Sequence, residues 1–302
     1  MSASGVYDRN NQIYKSGNLS SNPNHMNTNE TIDYTTHADP GVRMPVLFVG
    51  HGSPMNALEE NEFVEGWKKI AGVISRPAAI LCISAHWETR GTFVTAMKQP
   101  RTLHDFGGFP CELFNVQYPA PGASEIAAET REMVVKTNVG ADDHWGLDHG
   151  CWSVLCRMYP AADIPVFQLS LDYTQPARYH FELAKELSAL RKKGVLILGS
   201  GNMVHNLRLI DWNRMQEPGF GYDWAIEAGE KMKTLIRDGN NEALINYSSL
   251  GKAFDLAIPS PEHFLPLLYT LALKEPDEGI SFFNDRPVMG SLTMTSALIG
   301  SP

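Results

Sequence analysis

No CxxC pair occurs among the four cysteines of this 302-residue chain, so a zinc-finger reading has no support. Cys82 and Cys111 stand alone, and Cys151 and Cys156 lie five apart in CWSVLC. Cys82 sits in an apolar run and reads as a buried small hydrophobe, and the four read together as reduced thiols of a cytoplasmic protein. No stretch approaches the roughly 18–20 continuous apolar residues of a membrane span. The opening MSASGVYDRNNQIYKSG also lacks the apolar segment of a signal peptide. Basic residues are in deficit: 25 Lys and Arg against 34 Asp and Glu give a net charge of −9. That balance argues against nucleic acid or an anionic membrane as a partner. GxGxxG, GxxxxGK(S/T), HExxH and GxSxG are all missing. Gly199-Ser200-Gly201 lacks the flanking pattern of a nucleophile elbow.

What is present divides in two. Residues 1–43 are dominated by Asn, Ser, Thr and Gly, as in SGNLSSNPNHMNTNETIDYTTHADPG, and have almost nothing to bury. Such a tail cannot offset its ordering entropy and is expected to be disordered, with His25 and His37 merely solvated. Residues 44–302 are expected to form one α/β domain with a central, mostly parallel or mixed sheet flanked by helices on both faces. The strand candidates 45–50, 78–84 and 194–198 are apolar runs rather than alternating, which suits a sheet covered on both sides, and 164–171 reads as a further strand. Further strands are expected at 92–97, 279–283 and 289–297. Helical spacing appears over 60–74, 124–136 (with Ser124 as N-cap), 176–190, 221–237, 241–247 and 261–273.

Ligands in open α/β sheets bind beyond the carboxyl ends of the strands. His51 follows the first strand in VLFVGHGSP, His86 ends the second in ILCISAHWE, and His205 lies shortly after VLILGSG. If these strands are parallel neighbours, the three imidazoles share one rim. A lone histidine after a strand is usually a hydrogen-bonded loop residue, but three in the same topological position point to a shared site. In PSPEHFLPLLYTLAL, Ser260 can cap a helix, placing Glu262 and His263 in its first turn. A cation is disfavoured there, so a neutral, metal-bound His263 fits better. Consecutive residues point about 100° apart, so one of this pair ligates and the other supports it. His149 in GLDHGCW lies beside Asp148, a carboxylate able to fix its tautomer for acid–base work. HDFGGFP, residues 104–110, is a Gly-rich turn whose two aromatics can line a pocket for a flat ring. His144 and His180 read as structural, His180 on a helix face.

Taken together, FVGHGSPMNAL, ISAHWETRG, TLHDFGGFP, LDHGCWSVL, GSGNMVHNL, PSPEHFLPLLY and MGSLTMTS resemble the LigB-type class III extradiol ring-cleavage dioxygenases, in their 4,5-DOPA dioxygenase branch. The resemblance runs from residue 44 to the carboxyl terminus. It implies a single α/β domain holding one metal ion near the sheet rim. It also implies an activity that opens a catechol ring such as that of L-DOPA with O2, giving a seco-DOPA. By the same resemblance His51, His86 and His263 are metal ligands, His205 is a further ligand or an acid–base group, and His149 is a second active-site histidine.

The chain departs from extradiol enzymes outside this branch, whose two His and one Glu suit Fe2+. An all-histidine set also suits Zn2+, which members of the branch often carry but which cannot change oxidation state. Either metal is therefore expected, zinc on purification and iron in catalysis. Two other readings compete: a zinc hydrolase using metal-bound hydroxide, and a non-catalytic metal-binding relative of the same fold. The residues leave the physiological catechol, the regiochemistry and the oligomeric state open.

Overall fold

Why the apolar runs become strands is visible in their register. Val46–Gly50 (β1), Ala79–Ser84 (β2), Val166–Gln168 (β3) and Val195–Gly201 (β4) run parallel, in the order β3-β2-β4-β1. The sheet continues from β1 through two antiparallel strands: Ser296–Ile299 (β6) pairs with β1, and Ile280–Phe283 (β5) pairs with β6 at the edge. Every residue of β1, β2, β3, β4 and β6 is buried. The expected mixed, mostly parallel sheet is present. The structure is a computed structural model that describes residues 43–215 and 217–302. The expectations for residues 1–42, including His25 and His37, lie outside the described residues.

Alternate residues of the strands feed two separate cores, as the two-residue period of a strand requires. Val46, Phe48, Leu81, Ile83 and Ile197 face one core, built with helices Ala177–Lys185, Asp223–Arg237 and Leu265–Ala272. Leu47, Val49, Ile80, Cys82, Leu196 and Leu198 face the other, with helices Glu62–Val73 and His149–Met158. These helices are α1 (Glu62–Val73), α2 (His149–Met158), α3 (Ala177–Lys185), α4 (Asp223–Arg237) and α5 (Leu265–Ala272). Asn61 caps α1 by accepting from the N–H groups of Phe63 and Val64, and Trp67 buries its ring against the sheet. Among the described residues no helix is long and apolar enough to cross a membrane. All four cysteines are free, and Cys82 is buried as expected.

Several expectations need correction. Helix α2 is absent from the expected helices, although its buried residues Cys151, Trp152, Val154, Leu155 and Met158 have helical spacing. The strand Val139–Asp142, parallel to Thr92–Thr95, is likewise additional to the expected strands. Ser124 begins the helix Ser124–Met133 from inside, after Ala123, and makes no cap bond. The helix expected from residue 261 starts at Leu265 instead. A helix beginning earlier would need an N–H at position 266 to bond the Glu262 carbonyl, and Pro266 has none. Residues 261–264 form a turn in which the Pro261 carbonyl accepts from Phe264 and Leu265. Ser260 donates to Glu262 Oε1 at 2.8 Å rather than capping.

Candidate active site

The pairing register puts the carboxyl ends of three central strands at one level. Gly50 of β1 lies opposite Gly201 of β4, and Ser84 of β2 opposite Ser200. Backbone bonds then tie the following residues to that level, His51 N–H to the Gly201 carbonyl and Ala85 N–H to the Ser200 carbonyl, each 3.0 Å. His51 and His86 therefore leave the sheet side by side, with their Nε2 atoms 3.1 Å apart.

His263 arrives from the opposite core. Its carbonyl accepts from Asn202 N–H at 2.9 Å, which pins the 261–264 turn to the end of β4. A side chain at Gly201 would put its Cβ 2.2 Å from the His263 carbonyl oxygen, so this approach needs glycine. The His263 ring centroid lies 5.3 Å from that of His51 and 5.0 Å from that of His86. His149, the first residue of α2, brings its ring 3.8 Å from His86 and 5.9 Å from His51. Gly150 behind it lets α2 pack on β2, since a Cβ there would meet Ser84 Oγ at 2.5 Å.

His205 stacks face to face on His263, centroids 3.5 Å apart and planes within 8°. The anticipated five histidines thus gather at one rim. His104 instead bonds the Val116 carbonyl, His144 carries its backbone against Asp142, and His180 is buried against the Tyr269 hydroxyl.

Hydrogen bonds orient three of the rings. His51 Nδ1 lies 3.0 Å from Ser200 Oγ, whose proton goes to the Gly150 carbonyl, so the imidazole donates and its Nε2 carries the lone pair. His263 Nδ1 lies 3.2 Å from Glu262 Oε1, which leaves its Nε2 free in the same way. Of that adjacent pair, the histidine faces the other rings and the glutamate supports it. His149 Nδ1 lies 2.9 Å from Asp105 Oδ2, and its backbone N–H donates to Asp105 Oδ1 at 2.8 Å.

The carboxylate expected to steady His149 was Asp148, and the structure corrects this. Asp148 is buried and caps α2, accepting from Cys151 N–H, Ser84 Oγ, Gln168 Nε2 and Trp145 Nε1. Its oxygens are fully engaged, so it does not reach the adjacent ring. Asp105 takes that role from 44 positions away in sequence. The only hint of it was its place in HDFGGFP, whose Phe106 and Phe109 do line the cavity.

Burial keeps His51, His86, His205 and His263 neutral. Burial first, then the neighbouring rings, hold His51 and His263 well below the usual histidine range. His86 is pulled down to about 3 by burial and the His149 ring, against the opposing pull of Asp105 and Glu262. Burial lowers His205 to about 4. Neutral imidazoles offering lone pairs at neutral pH are what a divalent metal requires. The 3.1 Å between His51 and His86 Nε2 is close to the roughly 3.3 Å edge of a tetrahedron with metal–nitrogen bonds of about 2.0–2.1 Å.

Metal-binding geometry is offered by two donor groups, His51–His86–His149 and His205–Glu262–His263, each with its ligand atoms within 4.8 Å of one another. The rings border a cavity of about 960 Å3 whose walls include Met55, Phe106, Phe109, Trp212, Leu292 and Met294.

Comparison with known proteins decides what this rim belongs to. Residues 44–282 match the family model of the catalytic LigB subunit of aromatic ring-opening dioxygenase. The chain belongs to the LigB family. It is 47% identical over 262 residues to the 4,5-DOPA dioxygenase extradiol of Escherichia coli K12, covering 85% of this chain and 95% of that protein. The 4,5-DOPA dioxygenase extradiol of Beta vulgaris is 37% identical over 230 residues, 73% of this chain and 83% of that one. A crystal structure of an uncharacterized Escherichia coli K12 protein superposes with a TM-score of 0.74 at 42% identity, over 85% of this chain and all of the other. The LigB chain described here is an extradiol ring-cleavage dioxygenase of the 4,5-DOPA branch, as the resemblance implied.

Proposed function

We propose that the enzyme opens the ring of a catechol such as L-DOPA with O2 to give a seco-DOPA, by cleavage at the 4,5 bond or alternatively the 2,3 bond. One Zn2+ or Fe2+ per chain is the proposed cofactor, held by His51 and His86 of the first donor group together with His263 of the second, whose ring centroid lies 5.3 and 5.0 Å from theirs. The observation that carries this reading is the convergence of these neutral rings beyond the strand ends, His51 and His263 buried and His86 half-buried, with the Nε2 atoms of His51 and His86 3.1 Å apart. When bound, the metal would supply a Lewis acid to the catechol and, if it is iron, the redox couple that O2 chemistry needs.

The protein's own groups do the rest. His51 and His263 are presented by Ser200 and Glu262 with Nε2 inward. His205 is proposed as an acid–base group rather than a fourth ligand. Its ring is stacked flat on that of His263, centroids 3.5 Å apart, so it would cover that ring's face while His263 held the ion. His149 is the second proton-handling group. Phe106 and Phe109 present apolar surface to a flat ring and displace water from it.

The test is metal analysis paired with oxygen uptake on L-DOPA, for the wild-type chain and His86→Ala. The wild type, reconstituted with Fe2+ without oxygen and then given air, should consume O2 and form a yellow ring-opened product. His86→Ala should lose both metal and uptake. A reconstituted wild type that opens no catechol overturns the proposal, and ester or amide hydrolysis that runs equally without O2 would replace it with a hydrolytic one.

A further inference from the structure

Five histidines meet at the rim, yet only one of them is backed by a carboxylate that grips ring and backbone together. Asp105 Oδ1 accepts from the His149 backbone N–H at 2.8 Å and Oδ2 accepts from its Nδ1–H at 2.9 Å. The same Oδ2 lies 3.8 Å from His86 Nδ1 on the other side. His205, the other group available for proton transfer, makes no ring hydrogen bond among the described residues, and its face is covered by His263.

Resting on the dioxygenase reading above, we propose that Asp105 is the positioning residue for proton transfer at this site, and that the Asp105–His149 pair takes the proton of the catechol hydroxyl. A carboxylate that holds Nδ1–H leaves Nε2 as the bare nitrogen turned toward the cavity, where His149 is a wall residue. In the step itself the catechol O–H bond breaks and an Nε2–H bond forms on His149. The electron pair stays on the catechol oxygen, and Asp105 keeps its charge and stabilises the resulting imidazolium. A carboxylate already bonded to the ring does this without reorganising, whereas a positive charge on His205 would find no bonded anion.

The loop adds a second constraint. Asp105 is followed by Phe106, whose ring meets His149 edge-on at 5.4 Å and lines the cavity. A ligand pressing on Phe106 therefore bears on the residue next to the carboxylate that aims His149. Because the carboxylate also faces His86, one side chain keeps the proposed base and a proposed ligand in fixed relation.

Asp105→Asn tests this, because an amide offers one acceptor where two N–H groups compete for it. In the Fe2+-loaded full chain, kcat on L-DOPA should fall about 100-fold or more with KM and bound metal little changed. Asp105→Glu, which keeps both acceptors, should recover part of the loss. With 4-nitrocatechol, whose hydroxyl gives up its proton far more readily, the deficit of Asp105→Asn should shrink to within about tenfold.

In the metal-free chain, nitrogen NMR compared with His149→Gln should show a hydrogen-bonded Nδ1–H on His149 that Asp105→Asn abolishes. A variant with kcat within about threefold of wild type, one that loses its metal, or an equal deficit on both catechols overturns the proposal. So does an Nε2–H tautomer in the wild type. If the wild type opens no catechol at all, the dioxygenase reading falls, and the NMR result alone still decides whether Asp105 sets the His149 tautomer.

Discussion

Gly201→Ala isolates the close approach that delivers His263. An added Cβ would sit 2.2 Å from the His263 carbonyl oxygen and 3.1 Å from its carbonyl carbon. Real contacts of this kind are at least about 3 Å, so something must move by close to 1 Å. Strand β4 is bonded to a neighbour on each side, β2 and β1, and cannot readily shift. The turn at residues 261–264 has looser ties, through Asn202 N–H and its own carbonyl bonds. It should give way and carry the His263 ring outward. A metal–nitrogen bond of about 2.0–2.1 Å does not survive a 1 Å displacement, so the proposed three-histidine set becomes two. The expected result is at least a 100-fold loss of oxygen uptake on L-DOPA, weaker metal binding in a chelator competition, and a stability cost of about 1–3 kcal/mol from overpacking. Gly72→Ala is the control, since nothing lies within 4 Å of its Cβ on the exposed side of α1, and it should be neutral or stabilise by up to about 1 kcal/mol. Full metal stoichiometry and uptake within about threefold of wild type in Gly201→Ala would show that this packing is not what places His263.

Three further changes probe the surroundings. Ser200→Ala removes the acceptor behind His51 Nδ1 and should weaken metal binding about 10–100-fold in the same competition, with the fold intact by circular dichroism. Asp148→Ala strips the cap of α2 and strands Gln168 and Ser84 in a buried site. It should cost about 2–4 kcal/mol in urea unfolding, combining a lost cap with unpaired buried groups. His180 is fully buried beside Tyr269, and burial lowers it from the usual 6.5 to about 4. The unfolded chain therefore binds this proton first, so stability is complete above pH 6.5 and is lost as the pH falls toward 4. The loss from this group between pH 7 and pH 5 is about 2 kcal/mol, and His180→Phe should remove that much of the pH dependence of the urea midpoint. An unchanged dependence would mean that His180 already carries its proton in the fold, or is not buried.

Strand ends were the legible part of this protein. His51 and His86 follow apolar runs whose only stable place is the middle of a covered sheet, and parallel register then forces their carboxyl ends to one level. His263 was legible as a site residue but not in its local structure. His263 precedes the first turn instead of lying in it, because Pro266 delays α5 to Leu265, and what seats the ring is the bond from Asn202 to its carbonyl. Helix α2 was obscured because CWSVLC draws attention to its cysteines, whereas the wider spacing of Cys151, Trp152, Leu155 and Met158 is helical. Asp105 could not be found by adjacency, which pointed to Asp148. A residue at an N-cap spends its carboxylate on the helix backbone, as Asp148 does with Cys151 N–H, and so is poorly placed to serve the side chain that follows it. Once GLDHGCW is read as the start of a helix, Asp148 is committed to the cap. The carboxylate partner of His149 must then come from a segment distant in sequence, and the loop carrying Asp105 supplies it.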